Sequence, residues 1–424
     1  MSDKFELSPC RIGVHSHIVQ CSIIRRRISW PTWPLFKAGG HFMRKLSTNI
    51  ARLMAMRTSM TAPMDRSEPC RLQDVEPFGS NPGALKAKCH IPPQIARKPA
   101  LVVILHGCTQ TADGYDRGAG WSKLADEHGF ILLFPEQQRA NNPNLCFNWF
   151  SPADNKRDRG EALSIRQMIE AMIDTHGIDR SRIFVTGLSA GGAMTSILLA
   201  SYPELFAGGA IIAGLPFGAA SNVPQALEAM RAPGQSSGDQ LGDRVRNASD
   251  HAGPWPRVSV WHGAADPTVN SSNADAILAQ WLSVHALDGQ PSATQNIAAH
   301  RHRIWNDATG RTVVEDYRIA DMGHGTPLAT TGEDACGTPM PHMLEAGISS
   351  TRRIAASWGL LAGRKATPQP KPADILKTET PNLPMRKGAK LEPLSAIQSS
   401  PTAANKSSVQ EIIEDALRTA RLMR

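Results

Sequence analysis

Residues 183–200 read IFVTGLSAGGAMTSILLA. An apolar β-type run stops at Gly187-Leu188-Ser189-Ala190-Gly191, and a helical pattern of small and apolar residues begins at once. A strand that turns straight into a helix at a serine flanked by glycines is the layout of a nucleophile elbow. The turn is tight enough that Cβ atoms two residues to either side would collide, so glycine is needed on both flanks. Ser189 is therefore the candidate nucleophile. Gly234-Gln235-Ser236-Ser237-Gly238 satisfies the same letters, but it follows Arg-Ala-Pro and precedes Asp-Gln-Leu-Gly-Asp. No β run feeds it, its composition is that of an exposed loop, and Ser236 is expected to be a chance match.

On both sides of the elbow, β and α signals alternate, which is how a mostly parallel sheet covered by helices is written. Strands are expected at 100–105, 130–134, 182–186, 207–212, 257–261 and 312–319, and helices at 121–128, 161–176 and 274–283. Their order is that of an α/β-hydrolase fold, a mostly parallel central sheet flanked by helices. No internal repeat is visible.

A serine alkoxide is too basic to form unaided near neutral pH, so the nucleophile needs a histidine to take its proton and a carboxylate to orient that histidine. In this fold both sit on loops just past later strands, in the chain order Ser, Asp, His. The strand at 257–261 runs into His262-Gly263-Ala264-Ala265-Asp266-Pro267-Thr268-Val269, which makes Asp266 the candidate acid. The strand at 312–319 runs into Ala320-Asp321-Met322-Gly323-His324-Gly325, which makes His324 the candidate base. His262 precedes the acid within the same turn and reads as structural, and Asp321 is the rival acid, with the Asp-Pro-Thr-Val turn the better fit. The oxyanion of the tetrahedral intermediate needs preorganised N–H donors. One is expected from Ala190, at the start of the helix after the nucleophile, and the second from Cys108 in the loop His106-Gly107-Cys108-Thr109-Gln110.

Charge is unevenly spread. Of a net charge of +8, residues 1–70 hold eleven Lys/Arg against four Asp/Glu, and 362–424 hold eleven against six, so the body between them is slightly acidic. The basic character belongs to solvated ends, which argues against a nucleic-acid-binding core. No run approaches the roughly 18 uninterrupted apolar residues of a membrane span. The best apolar run near the start, at 17–24, is short and followed by Arg25-Arg26-Arg27, the wrong order for a secretory signal. Residues 1–70 are expected to be a poorly ordered leader, with an alternative start at Met43, ahead of Leu46, Ile50 and Leu53 at helical spacing. The catalytic domain is expected at 71–361. A Pro-, Lys-, Ser- and Thr-rich linker follows at 362–407, too poor in apolar residues to fold. Ser408-Val409-Gln410-Glu411 then opens an amphipathic helix at 408–424 as a capping box. Such a tethered helix is expected to dock on its own domain or on a partner, with a granule or membrane surface as the alternative.

The set HGCTQ at 106–110, CFNWF at 146–150, GLSAGG at 187–192, HGAADPTV at 262–269 and MGHG at 322–325, with Ala335-Cys336-Gly337 beyond, resembles the polyhydroxybutyrate depolymerase family of esterases over about residues 72–360. The resemblance implies an α/β-hydrolase fold and hydrolysis of short-chain polyester bonds. It implies a triad on Ser189, Asp266 and His324 and a second oxyanion N–H at Cys108. Feruloyl and acetylxylan esterases share the family, so the resemblance specifies the reaction better than the ester. Aromatic residues beside the cleft point to Trp149 and Phe147, and Gln110 is the further candidate for substrate contact. Gly325-Thr326-Pro327-Leu328 contains no tryptophan, which leaves the acyl pocket unassigned. The places of Cys108 and Cys146 in two of these motifs suggest a disulfide bracing the oxyanion loop.

Seven cysteines, an odd number, leave at least one unpaired or bonded between molecules. No C-x-x-C occurs, and the H-x-H pairs at 15/17 and 300/302 lack companions at a metal-site spacing, so neither metal nor cofactor is expected. The want of a signal slightly favours the cytoplasm, although the family resembled includes extracellular members. The non-enzyme alternative is a hydrolase-fold interaction protein with a silent triad. A peptidase is the other enzyme alternative, but no substrate-gating domain is readable.

Overall fold

The structure is a computed structural model that describes residues 70–361. The leader up to residue 69, the start at Met43, the linker at 362–407 and the helix at 408–424 lie outside the described residues. The elements run β1 (Gln73–Asp74), β2 (Lys86–His90), β3 (Leu101–Leu105), α1 (Ala112–Ala119), α2 (Trp121–His128), β4 (Ile131–Glu136) and α3 (Gly160–His176). Then come β5 (Ile183–Leu188), α4 (Ala190–Ser201), β6 (Gly208–Ile212), α5 (Val223–Arg231), α6 (Gly238–Arg246), β7 (Arg257–Gly263) and α7 (Ser272–Val284). The last are β8 (Ala293–Ile297), β9 (His300–Asn306), β10 (Thr312–Ile319), β11 (Thr326–Leu328), β12 (Met343–Glu345) and α8 (Ser350–Ser357).

Strand β3 shows why the middle of the sheet is parallel. All five of its residues are apolar and buried, with Leu101, Val103 and Leu105 entering one hydrophobic cluster and Val102 and Ile104 the other. A strand apolar on both faces must be covered on both, and parallel strands joined by crossover helices provide that cover. The ten-stranded sheet runs β1-β2-β4-β3-β5-β6-β7-β10-β9-β8. From β4 to β10 every neighbouring pair is parallel, and the two margins are antiparallel. One face is covered by α3, α4, α5 and α7, and the other by α1, α2 and α8. Trp358, just past α8, stacks on Phe184 of β5 at 4.7 Å and on Trp121 of α2 at 6.3 Å, which fixes the end of the domain against its centre.

Among the described residues every strand and helix expected from the pattern is present, β10 and α2 to the residue. The two-strand margins, the β11–β12 pair and helices α1, α5, α6 and α8 are additions, and for β8 and α1 the sequence explains why periodicity passes over them. Strand β8 is Ala-Thr-Gln-Asn-Ile, almost wholly exposed, and α1 is Ala-Asp-Gly-Tyr-Asp-Arg-Gly-Ala, with two glycines. Local capping starts these helices instead. Thr111 accepts the Gly114 N–H at 3.1 Å and Asn222 accepts the Gln225 N–H at 3.0 Å. The loops after β3, β5, β7 and β10 all leave the C-terminal edge of the parallel strands, where open α/β sheets bind ligands. No helix among the described residues is long and apolar enough to cross a membrane.

Candidate active site

Ser189 sits between β5 and α4 at φ 58° and ψ −115°, a strained conformation for a residue with a side chain. Two backbone bonds hold it there, Ser189 N–H to Ile212 O at 2.9 Å and Ala193 N–H to Ser189 O at 2.8 Å. The flanking glycines are required by contact. A Cβ on Gly187 would lie 2.4 Å from the Gly191 carbonyl oxygen, and one on Gly191 would lie 2.4 Å from the Leu105 oxygen and 2.6 Å from that of His106. The second G-x-S-x-G differs in kind. Ser236 is half-buried in the connection from α5 to α6 and accepts a hydrogen bond from Arg244 at 2.8 Å, while Ser237 forms a capping box with Gln240. That stretch therefore starts a helix rather than forming the free loop its composition suggests.

Past β7 and β10, two loops are locked together by backbone contacts. Ala264 N–H donates to Ile319 O at 2.9 Å and Ala265 N–H to Met322 O at 3.0 Å. The approach is so close that a Cβ on Gly263 would meet the Met322 oxygen at 2.3 Å. Held this way, His324 donates its Nδ1–H to Asp266 Oδ2 at 2.7 Å, which leaves Nε2 as its basic nitrogen. Asp266 Oδ1 accepts the backbone N–H groups of Thr268 at 2.8 Å and Val269 at 3.0 Å. Burial by itself would raise the Asp266 pKa, but the hydrogen bonds from His262 and His324 outweigh it and hold the carboxyl well below the usual range. His262 is bonded through Nε2 to Val269 O at 2.9 Å and lies 3.3 Å from Asp266 Oδ2. It thus ties the turn that carries the acid. Asp321, the rival acid, is exposed at a φ of 55°.

The loop after β3 is held both by its own residues and by the segment at 137–147. His106 bonds Gly107 O through Nδ1 at 2.8 Å, accepts the Gln137 N–H at Nε2 and packs on Phe147 at 5.0 Å. Gln110 Oε1 accepts the Gly107 N–H at 2.8 Å, and Thr109, at φ 64°, donates to Asn144 O at 2.7 Å. A disulfide joins Cys108 to Cys146, with Cα atoms 4.3 Å apart. Among the described residues, neither the Cys108 N–H nor the Ala190 N–H has a hydrogen-bond partner. Two free donors beside a serine, one at a helix N-terminus, suit a developing negative oxygen. Cys70, Cys89 and Cys336 are free thiols.

Glu161, in the first turn of α3, anchors the segment that carries Cys146. It is fully buried and accepts bonds from Gln137 Nε2 at 2.6 Å, from Asn148 N and Nδ2 at 2.8 Å each, and from Asn141 Nδ2 at 3.2 Å. Burial and the charge of Asp154 push its pKa up to about 8, against the pull of those donors.

Two cavities open on either side of Ser189. The larger, about 480 Å³ including its opening to solvent, is mostly apolar and lined by Trp149, Phe150, Leu215, Leu227, Met230 and Val269, together with Ser189, Ala190 and Cys108. The smaller, about 210 Å³, is lined by Gly107, Cys108, Gln110, Leu188, Ser189, His324 and His342. Trp149 therefore faces the larger cavity and Gln110 the smaller, whereas Phe147 is wholly buried against His106 rather than lining the cleft. Among the described residues no three His, Cys, Asp or Glu side chains are gathered as a metal would require.

The model of the family described as Esterase PHB depolymerase matches residues 85–306, just over half of the chain. The chain belongs to this family. Its match includes Cys108, Ser189 and Asp266, and His324 lies beyond it. As a member of the Esterase PHB depolymerase family, the chain is 41% identical over 292 residues to poly(3-hydroxyalkanoate) depolymerase C of Paucimonas lemoignei, covering 68% of this chain and 70% of that one. It is 32% identical over 272 residues to an acetylxylan esterase of Coprinopsis cinerea, covering 62% of this chain and 71% of the other. It is 30% identical over 265 residues to feruloyl esterase B of Talaromyces funiculosus, covering 60% and 73%. The solved acetyl xylan esterase from Aspergillus awamori shares the fold at a TM-score of 0.58 and 24% identity, over 68% of this chain and 99% of that one. The family member described here is a carboxylic ester hydrolase of α/β-hydrolase fold.

Several residues at the site escape a reading of the sequence. His342 reaches the smaller cavity from a loop eighteen residues after His324, in a stretch without strand or helix periodicity. Leu227 and Met230 come from α5, whose apolar spacing and Asn222-Val223-Pro224 start do carry a signal. Glu161 looks like any first-turn helix carboxylate until its burial is seen.

Proposed function

We propose that this esterase hydrolyses short-chain polyhydroxyalkanoate ester bonds through an acyl-enzyme on Ser189, with His324 and Asp266 completing the triad. The observation that carries the triad is the His324 Nδ1 to Asp266 Oδ2 bond of 2.7 Å at the mouth of the cavity that also holds Ser189. With Nδ1–H committed to the carboxylate, Nε2 of His324 takes the Ser189 proton as Oγ attacks the ester carbonyl. The Cys108 and Ala190 N–H groups receive the oxyanion. His324 then protonates the departing alcohol and activates water to release the acid, while Asp266, held ionised by its donors, stabilises the imidazolium.

The ester itself is inferred from kinship. The relative at 41% identity is named a poly(3-hydroxyalkanoate) depolymerase, and the mostly apolar lining of the larger cavity beside Ser189 suits an aliphatic acyl unit. Feruloyl and acetylxylan ester hydrolysis is the second reading, favoured by the relatives of those names at 30% and 32% identity. A panel of polyhydroxybutyrate film, p-nitrophenyl esters of graded chain length, methyl ferulate and acetylated xylan separates them. Release of 3-hydroxybutyrate oligomers as the fastest reaction supports the polyester reading. Turnover confined to ferulate or xylan esters defeats it.

A further inference from the structure

The two cavities divide the substrate, and the smaller one holds a histidine with no part in the proposed triad. His324 has to protonate the leaving oxygen, so the alcohol must lie on the His324 side of Ser189 and the acyl group in the apolar cavity opposite. The alcohol side is the 210 Å³ cavity between Gln110 and His342. His342 is bonded through Nδ1 to the His324 carbonyl oxygen at 3.2 Å, with the two rings 5.9 Å apart and edge-on. A carbonyl only accepts, so this bond puts the proton on Nδ1 and leaves Nε2 of the neutral ring as an acceptor. Among the described residues Nε2 has no hydrogen-bond partner. His342 holds its place at a φ of 63°, a conformation uncommon for a residue with a side chain, and its own carbonyl accepts the Thr326 N–H at 2.8 Å. Burial and the neighbouring His324 both lower its pKa, which keeps the ring neutral.

We infer that His342 is a specificity residue for the leaving alcohol, its Nε2 accepting a hydrogen bond from a hydroxyl carried next to the ester oxygen. This rests on the proposed acyl transfer through Ser189 and His324. It predicts a preference for alcohols bearing a second hydroxyl over plain alkyl alcohols of the same size, a feature that a sugar ester has and a polyhydroxyalkanoate unit lacks, so among the esters considered above His342 favours the acetylxylan type.

The test compares 2-hydroxyethyl acetate with propyl acetate, which differ by a hydroxyl in place of a methyl, with p-nitrophenyl acetate as the measure of acyl transfer itself. Wild-type enzyme is expected to favour the hydroxyethyl ester in kcat/KM by about three- to tenfold, the range of one hydrogen bond. In H342N the ratio is expected to fall to near one. Asparagine tolerates positive φ and its amide N–H keeps the bond to the His324 carbonyl, but it does not reach the position of Nε2. H342G, with no strain at this φ, is the second variant and should show the same ratio. A wild-type ratio near one, or a preference retained in either variant, overturns the assignment. Absence of p-nitrophenyl acetate turnover in the wild type would instead overturn the acyl-transfer reading beneath it.

Discussion

Replacing Gly191 with alanine puts one methyl group where the elbow meets the sheet. The added Cβ would stand 2.4 Å from the Leu105 oxygen and 2.6 Å from the His106 oxygen, both main-chain atoms of β3 and the loop it enters. Ordinary heavy-atom contact is about 3.5 Å, so relief requires the start of α4 and the end of β3 to separate by about 1 Å. The two proposed oxyanion donors lie on opposite sides of that gap, Ala190 on α4 and Cys108 two residues after His106. Overpacking of this size costs about 1–3 kcal/mol, which for a domain of this length lowers Tm by about 2–10 °C. A 1 Å misplacement of catalytic groups costs about a hundredfold in rate. Gly234, in the second G-x-S-x-G, has nothing within 4 Å of the same added atom, and Gly234→Ala should change stability by less than about 0.5 kcal/mol. Thermal melts and p-nitrophenyl acetate kinetics on the two variants decide the matter. Wild-type activity in Gly191→Ala, or equal damage from Gly234→Ala, would show that the close contact with β3 does not set the geometry of the elbow.

Removing the disulfide with Cys108→Ala/Cys146→Ala opens a loop of 38 residues, for which chain entropy gives a loss of about 4 kcal/mol in urea denaturation; stability equal to wild type would show that the bond constrains nothing. Glu161 has a folded pKa of about 8, above its ordinary value of 4.5, so the native state holds its proton where the unfolded state has lost it. Its stability is therefore fully present at low pH and declines as pH rises from about 4.5 through 8, by a few kcal/mol. Glu161→Gln should flatten that decline, and parallel pH–stability curves for the two proteins would contradict the assignment. Asp266→Asn removes the acceptor that fixes the His324 tautomer and should lower kcat by about 10³- to 10⁴-fold with little change in KM; a loss of less than about tenfold would point to another orienting group.

The elbow, the parallel strands and the turns past β7 and β10 were legible because each leaves a local mark. Continuous apolar runs such as Leu101–Leu105 report burial on both faces, and glycines at 187 and 191 report main-chain contact. The rest depended on contacts distant in the chain. Strand β8 is polar and exposed, and becomes a strand only by pairing with β9, so no local pattern announces it. The acyl cavity draws Trp149, Leu215, Met230 and Val269 from four separate loops or helices, so its walls could not be assembled from spacing. His342 is placed by a bond to the His324 backbone across eighteen residues. His262 reads as the holder of its own turn and does bond Val269 within it, but its second contact with Asp266 appears only when the turn closes.

Fluorophosphonate labelling followed by peptide mass mapping shows whether Ser189 is an activated nucleophile, since an unactivated serine does not react. A single adduct is expected on Ser189 and none on Ser236, with at least about a thousandfold loss of esterase turnover in Ser189→Ala. Ester hydrolysis that persists in Ser189→Ala, or labelling at Ser236 in place of Ser189, would contradict that role for Ser189.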